Sequence, residues 1–195
     1  MPETTPDRRT ELLAAAIRLF SDRGYEATSV REIADALAIQ AGSLYAHIET
    51  KEDLLWQILT ESADRFFAAI QPIVDSKLLT LERIRLAIAA HVKVITDSTA
   101  AAAVYLREWR HLSEPRKSEF AGRRDAYERI FRDLIRDAIH EGTFGDFDEK
   151  FATLMVLSSV NWIYQWYRPD GPMTPDEIAR RITDLLFHGL KRAGS

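Results

Sequence analysis

Residues 28–47 read Thr-Ser-Val-Arg-Glu-Ile-Ala-Asp-Ala-Leu-Ala-Ile-Gln-Ala-Gly-Ser-Leu-Tyr-Ala-His, a stretch that specifies two short helices and a tight link. The Ser29 hydroxyl can accept from the Glu32 N–H while the Glu32 carboxylate reaches back, a capping box that opens a helix through Ala36 or Leu37. A few turn residues follow, and Ala41 to His47 forms the next helix. Upstream, Thr5 can cap a helix with Pro6 at its first position. Leu12, Leu13, Ala16, Ile17, Leu19 and Phe20 then line one face until Gly24 stops it. Three short helices with tight connections, the last two closely linked, predict a helix-turn-helix head over residues 1–50.

On both sides of this stretch the apolar spacing stays at three and four, and no run alternates with period two. The fold class is therefore all-α, with a larger helical body over residues 51–195. Its helices are predicted over Glu52–Ile70, ended near Pro72, then Leu79–Thr96, Ala100–Leu112 and Arg116–Glu141, the last ended by Gly142. Asp148 opens a further helix that stops before Pro169, and Thr174 caps a final one with Pro175 at its first position. No internal repeat or low-complexity tract interrupts this order.

The 46% hydrophobic content of the 195 residues suits a soluble globular protein with one or two cores. The absence of cysteine removes disulfides, thiol catalysis and thiolate zinc sites, and fits a reducing compartment. No basic leader followed by an apolar core opens the sequence, so a cytoplasmic protein is expected. The uncharged run from Phe151 to Tyr167 barely reaches spanning length and is interrupted by polar residues. It reads as a helix packed on both sides, in a core and against a partner subunit, and no membrane association is expected. The net charge of −4, with eight acids against six bases in the first 51 residues, lends nucleic-acid binding no support. Phosphate contact depends, however, on where a few donors sit, and N–H groups at helix starts serve beside Lys and Arg.

Residues 10–55 resemble the TetR/AcrR family of bacterial repressors. The likeness is carried by Ala15, Phe20, Gly24, Tyr25, the run Thr28 to Ala34, Gly42-Ser43-Leu44-Tyr45 and Lys51-Glu52-Asp53-Leu54. It implies a homodimer on a palindromic operator of double-stranded DNA, released when a small-molecule effector enters the body. Residues at the start of a recognition helix meet base edges, which assigns Gln40, Ala41 and Ser43 to the bases, with Tyr45 and His47 flanking the phosphates. Gln can bridge adenine N6 and N7, and an Ala methyl can contact thymine. Lys51 at the next helix start suits a phosphate, as do Thr28 and Ser29 at theirs. Arg31 and Gly42 complete the DNA-facing set. Ala38 stands where the family places a glycine, and costs about 1 kcal/mol if that turn requires positive φ.

The body resembles the subgroup whose effectors are acyl-CoA thioesters, through Tyr105-Leu106-Arg107-Glu108-Trp109, Gly142-Thr143-Phe144, Asn161-Trp162 and Trp166 to Gly171. Tyr105 with Trp109, and Trp162 with Trp166, are each four apart and can share a helix face. They form a candidate ligand wall together with Arg110 and Gln165; core packing explains the same rings. Arg107, Arg110, Arg123, Arg124 and Arg168 are candidate partners for CoA phosphates. A small apolar drug or metabolite is the alternative effector. Dimerisation is assigned to the last two helices. A rival reading as a di-iron helical-bundle enzyme rests on Glu108-x-x-His111 and Asp137-x-x-His140. Five histidines among 30 acids supply such pairs by chance. No nucleotide loop, zinc-protease motif or nucleophile elbow occurs, so no catalytic residue, metal site or resident cofactor is expected.

Overall fold

The computed structural model describes residues 8–44 and 48–190, and among them the regular structure is helical with no strand. The residues cluster into two compact units, one formed by residues 1–62 with 100–120, the other by 63–99 with 121–195. Segment 100–120, which the sequence places with the body, thus packs with the head. Two long helices, α4 (Lys51–Val74) and α7 (Arg116–His140), contribute to both units.

In the first unit, α1 (Arg8–Arg23) buries Leu12, Leu13, Ala15, Ala16, Leu19 and Phe20, the stripe expected from their spacing. Gly24 ends it at φ +88°, and its N–H donates to the Phe20 carbonyl at 3.0 Å, a left-handed cap that any side chain would strain. Thr5 and Pro6, the expected cap and first residue of this helix, lie outside the described residues. The α2 helix (Val30–Ala36) starts at the expected Ser29 capping box and buries Ile33 and Ala34. Its end is a full Schellman cap: Ile39 N–H donates to Ala34 O at 3.1 Å and Ala38 N–H to Asp35 O at 3.1 Å. Ala38 occupies the left-handed position at φ +53°, so the alanine carries the strain a glycine would avoid. Ala38→Gly should therefore stabilise the head by about 1 kcal/mol, read as a raised urea midpoint at unchanged slope. An unchanged or lowered midpoint would show the strain relieved elsewhere.

The α3 helix is described over Ala41–Leu44, with Leu44 buried. Thr50 and Asp53 form a second capping box at the start of α4. Pro72 does not stop α4 as expected, because near a helix end its missing N–H forfeits one bond and the chain leaves two residues later. The segment read as one helix over 100–112 is instead α6 (Thr99–Arg107) followed by a 3₁₀ turn, Glu108–His111. That tighter winding sets Glu108, whose carboxylate is buried, on the Tyr25 N–H within the same unit.

In the second unit, α5 (Thr80–Asp97) buries Ile84, Ala87, Ile88, His91, Val92 and Ile95, and packs along α10 (Pro175–Leu190). The α7 helix adds Phe131, Leu134, Ile135 and Ala138 to this core. It closes on a Schellman cap at Gly142, φ +72°, from which Thr143 donates back to Ala138 O. Phe144 then packs edge-on against Phe187 of α10, their ring centres 5.2 Å apart. The helix expected over 148–168 is two: α8 (Glu149–Asn161), capped by Asp148, and α9 (Ile163–Trp166). At Trp162 the ladder tightens, with Gln165 N–H donating to Trp162 O at 3.1 Å, three residues back rather than four. Thr174 caps α10 through a box with Glu177, as its sequence implies. No described helix is long and apolar enough to cross a membrane.

Candidate nucleic-acid interface and effector site

Within the first unit the Ser29 box is closed on itself, its hydroxyl donating to Glu32 at 2.8 Å and accepting from the Glu32 N–H. These bonds hold the Glu32 carboxyl below its ordinary range, with the Ser29 N–H as the largest contributor and Arg23 a smaller one. Arg31, Gln40, Gly42 and Ser43 are exposed. Ala41 opens α3, and Ser43 N–H donates to Gln40 O at 2.9 Å, so Gln40 is the residue at which the chain enters the helix. Tyr45 and His47 lie outside the described residues.

Thr28 and Lys51 differ from their assignment as phosphate contacts. Thr28 is buried, and its hydroxyl donates to the Gly24 carbonyl at 2.8 Å, so its side chain serves the turn. The Lys51 ammonium donates to the carbonyls of Tyr25 and Thr28, both at 2.8 Å, and sits 4.1 Å from the centre of the Tyr25 ring. Its partial burial lowers the ammonium's pKa, against the opposing pull of Glu26 and Glu32. Tyr25 is held from the other side by Glu108, whose carboxylate accepts its N–H at 3.1 Å. Arg107 adds a bond to the Ser21 carbonyl at 2.8 Å, and His111 stacks on the Tyr25 ring. Burial, followed by Glu52 and Asp53, raises the Tyr25 phenol. Sequence reading missed this grip, since Tyr25 and Glu108 lie 83 residues apart.

The candidate effector residues fall into both units. In the first, Tyr105 is buried with its ring edge-on to Phe120 at 5.6 Å, and Trp109 meets the same ring at 6.4 Å. The Arg110 guanidinium lies over Trp109 at 5.1 Å from the ring centre. In the second, Trp162 and Trp166 are 62% and 42% exposed, too open for core residues of an isolated chain. Gln165 donates to the Tyr164 hydroxyl at 2.8 Å. A cavity of about 90 Å³ opens between Trp166, Arg168, Pro172 and Ile178, room for part of a small group and not for a whole thioester.

The second unit also holds a buried polar cluster. His91 Nε2 is 3.0 Å from Asn161 Oδ1, and Nδ1 is 3.0 Å from the Tyr127 hydroxyl. Phe66, Tyr127 and Phe131 ring the imidazole. Full burial pushes the His91 pKa down to about 4, only partly offset by the bond to Asn161. Of the pairs behind the di-iron reading, Glu108 is committed to Tyr25 and lies 3.5 Å from His111. No group of three or more metal-ligating side chains occurs among the described residues.

Comparison with known proteins agrees with this arrangement. Residues 12–58 match the family described as bacterial regulatory proteins, tetR family, and residues 78–190 match the tetracyclin repressor-like C-terminal domain. The chain is 32% identical to the HTH-type transcriptional repressor KstR2 of Mycobacterium tuberculosis, covering 96% of this chain and 94% of that one. The solved structure of that organism's ketosteroid transcriptional regulator KstR2 superposes with a TM-score of 0.90 over 97% of each chain, at 32% identity. AibR, solved in complex with isovaleryl coenzyme A and operator DNA, superposes with a TM-score of 0.84 at 30% identity, over 93% of this chain and 98% of that one. With an N-terminal head and a C-terminal body both matched, and the sequence and fold of a repressor shared along nearly its whole length, the chain belongs to the TetR family of bacterial regulatory proteins.

Proposed function

We propose that this chain is a homodimeric repressor that occupies a palindromic operator and leaves it when an acyl-CoA thioester binds. The observation that carries the DNA half is the exposure of Gln40, Gly42 and Ser43 at the entry to α3, presented with Arg31 of α2 on the head of a TetR-family chain. Ser29, Ala41, Tyr45 and His47 complete the DNA-facing set. The effector half draws on the likeness to AibR and on the exposed tryptophans. Trp162 and Trp166, with Gln165 beside them, offer exposed rings to an acyl or aryl group. The dimer is assembled by α8 and α10, which expose Phe151, Leu154, Met155 and Leu185 in the single chain.

Selection of genomic fragments by the purified protein, followed by challenge of the bound fragments with free acids and their CoA esters, tests both halves. The fragments should share a palindrome whose half-sites lie about one DNA turn, roughly 34 Å, apart or somewhat more. At least one thioester should weaken binding tenfold or more and raise the thermal midpoint of the free protein, since a ligand can release DNA only by its differential affinity. Release by free acids alone would replace the thioester with a small apolar metabolite. Retention of no fragment would remove the operator reading.

A further inference from the structure

We propose that Lys51 and Glu108 are positioning residues of the DNA-binding head, which act on operator affinity through Tyr25 and touch no phosphate themselves. The inference rests on the reading of the head as the operator-binding part. Its ground is that one residue's two backbone groups are held by opposite charges from remote parts of the chain. The Tyr25 carbonyl accepts from the Lys51 ammonium, and the Tyr25 N–H donates to the buried Glu108 carboxylate. Because charge-assisted bonds are shorter and stronger than neutral ones, this pair fixes the peptide more firmly than turn geometry alone.

Tyr25 lies in the turn between α1 and α2, and the rest of that turn is tied to it. Thr28 N–H donates to Tyr25 O, the Thr28 hydroxyl returns to Gly24 O, and Lys51 takes the Thr28 carbonyl as well. The next residue is Ser29, the cap from which α2 starts. A shift of Tyr25 is thus passed to the first turn of α2, and through the Ala38 cap to the entry of α3. The Tyr25 ring is fixed as well, edge-on to Phe20 at 5.2 Å, stacked on His111 and covered by Lys51. Two of the ammonium's three donors are thus taken up by carbonyls of the turn.

Salt dependence separates positioning from contact. A lysine that neutralises a phosphate contributes about 0.9 to the slope of log affinity against log salt, and its removal lowers the slope by that amount. Lys51→Gln should weaken binding to a selected operator fragment about tenfold with an unchanged slope; a slope lower by about 0.9 would make Lys51 a phosphate contact and overturn the proposal. Glu108→Ala gives a test of sign. Removing an acid from a DNA-binding protein strengthens binding if charge alone matters, whereas loss of positioning weakens it, here by about tenfold. Glu108→Gln keeps an acceptor for the Tyr25 N–H and should recover most of that loss. Tighter binding by Glu108→Ala, or equal loss in both variants, would overturn the role of Glu108. Amide exchange of the free protein needs no operator. It should quicken at Tyr25 and Thr28 in Lys51→Gln and Glu108→Ala with the thermal midpoint of the chain retained, and unchanged exchange at both would refute the clamp. Failure of the unmodified chain to select any fragment, with the exchange result as expected, would remove the operator reading and leave the clamp standing.

Discussion

Between pH 6.5 and pH 4 the protein should lose about 3 kcal/mol of stability through one histidine, since each unit of pKa displacement is worth about 1.4 kcal/mol. His91 has a folded pKa of about 4, well below the ordinary 6.5. Above 6.5 neither the folded nor the unfolded chain binds the proton, and the stability is fully present. As pH falls below 6.5 the unfolded chain takes the proton while the folded one refuses it, so stability drains until the folded pKa is reached. The geometry agrees with a neutral ring. Asn161 Oδ1 accepts from Nε2–H, which leaves Nδ1 as the acceptor for the Tyr127 hydroxyl. Urea unfolding of the parent and of His91→Gln at pH 7.5 and 4.5 isolates the effect, because carboxylates titrate in both and cancel. The parent should lose between 2 and 3 kcal/mol more than the variant across that interval, roughly two units of pH multiplied by the same factor. Parallel losses would mean that His91 is not held neutral by burial.

That histidine also marks where sequence reading stops. Features that depend on neighbours three or four residues away were legible, because the chemistry is local. The capping box at Ser29, the cap at Thr174 and the stops at Gly24 and Gly142 all occur where residue type and spacing put them. The positive φ at Ala38 followed from the family's glycine at that turn. Pro72 and Trp162 were misread for opposite reasons. A proline suggested a stop that its place in the final turns made unnecessary, and an uncharged run without Gly or Pro offered no sign of the tightened turn at Trp162. Asn161, just before that turn, is tied to His91, 70 residues away. The direction in which a side chain points was the least legible. A lysine at a helix start looks the same in sequence whether its ammonium faces solvent or the carbonyls of Tyr25 and Thr28. Tyr105 and Trp109 illustrate the same limit, since their expected spacing is kept while both rings meet Phe120 in the first unit.

Charging the exposed apolar face of α8 and α10 should convert the proposed dimer into monomers. Phe151 is 62% exposed and Leu185 is 76% exposed, with Met155 and Trp162 also open on the α8 side. Side chains of this size gain about 1.5–3 kcal/mol each when fully buried, so an interface that covers them depends on them strongly. Phe151→Glu with Leu185→Glu removes two such contributions in each subunit and sets like charges into a two-fold contact, where every substitution is felt twice. The dissociation constant should rise by more than a hundredfold, so that sedimentation at micromolar concentration finds monomers. Leu79, 82% exposed at the start of α5, provides the control: Leu79→Glu alters an equally open leucine outside the two helices and should leave the dimer intact. Operator affinity should fall along with assembly in the double variant. A monomer engages one half-site at a time and forfeits the effective concentration that a linked second head supplies. Retained helical circular dichroism would assign the effect to association rather than to folding, since the substituted side chains are open in the single chain. A double variant that still sediments as a dimer would move the interface to another face, and monomers produced by Leu79→Glu alone would move it to the start of α5.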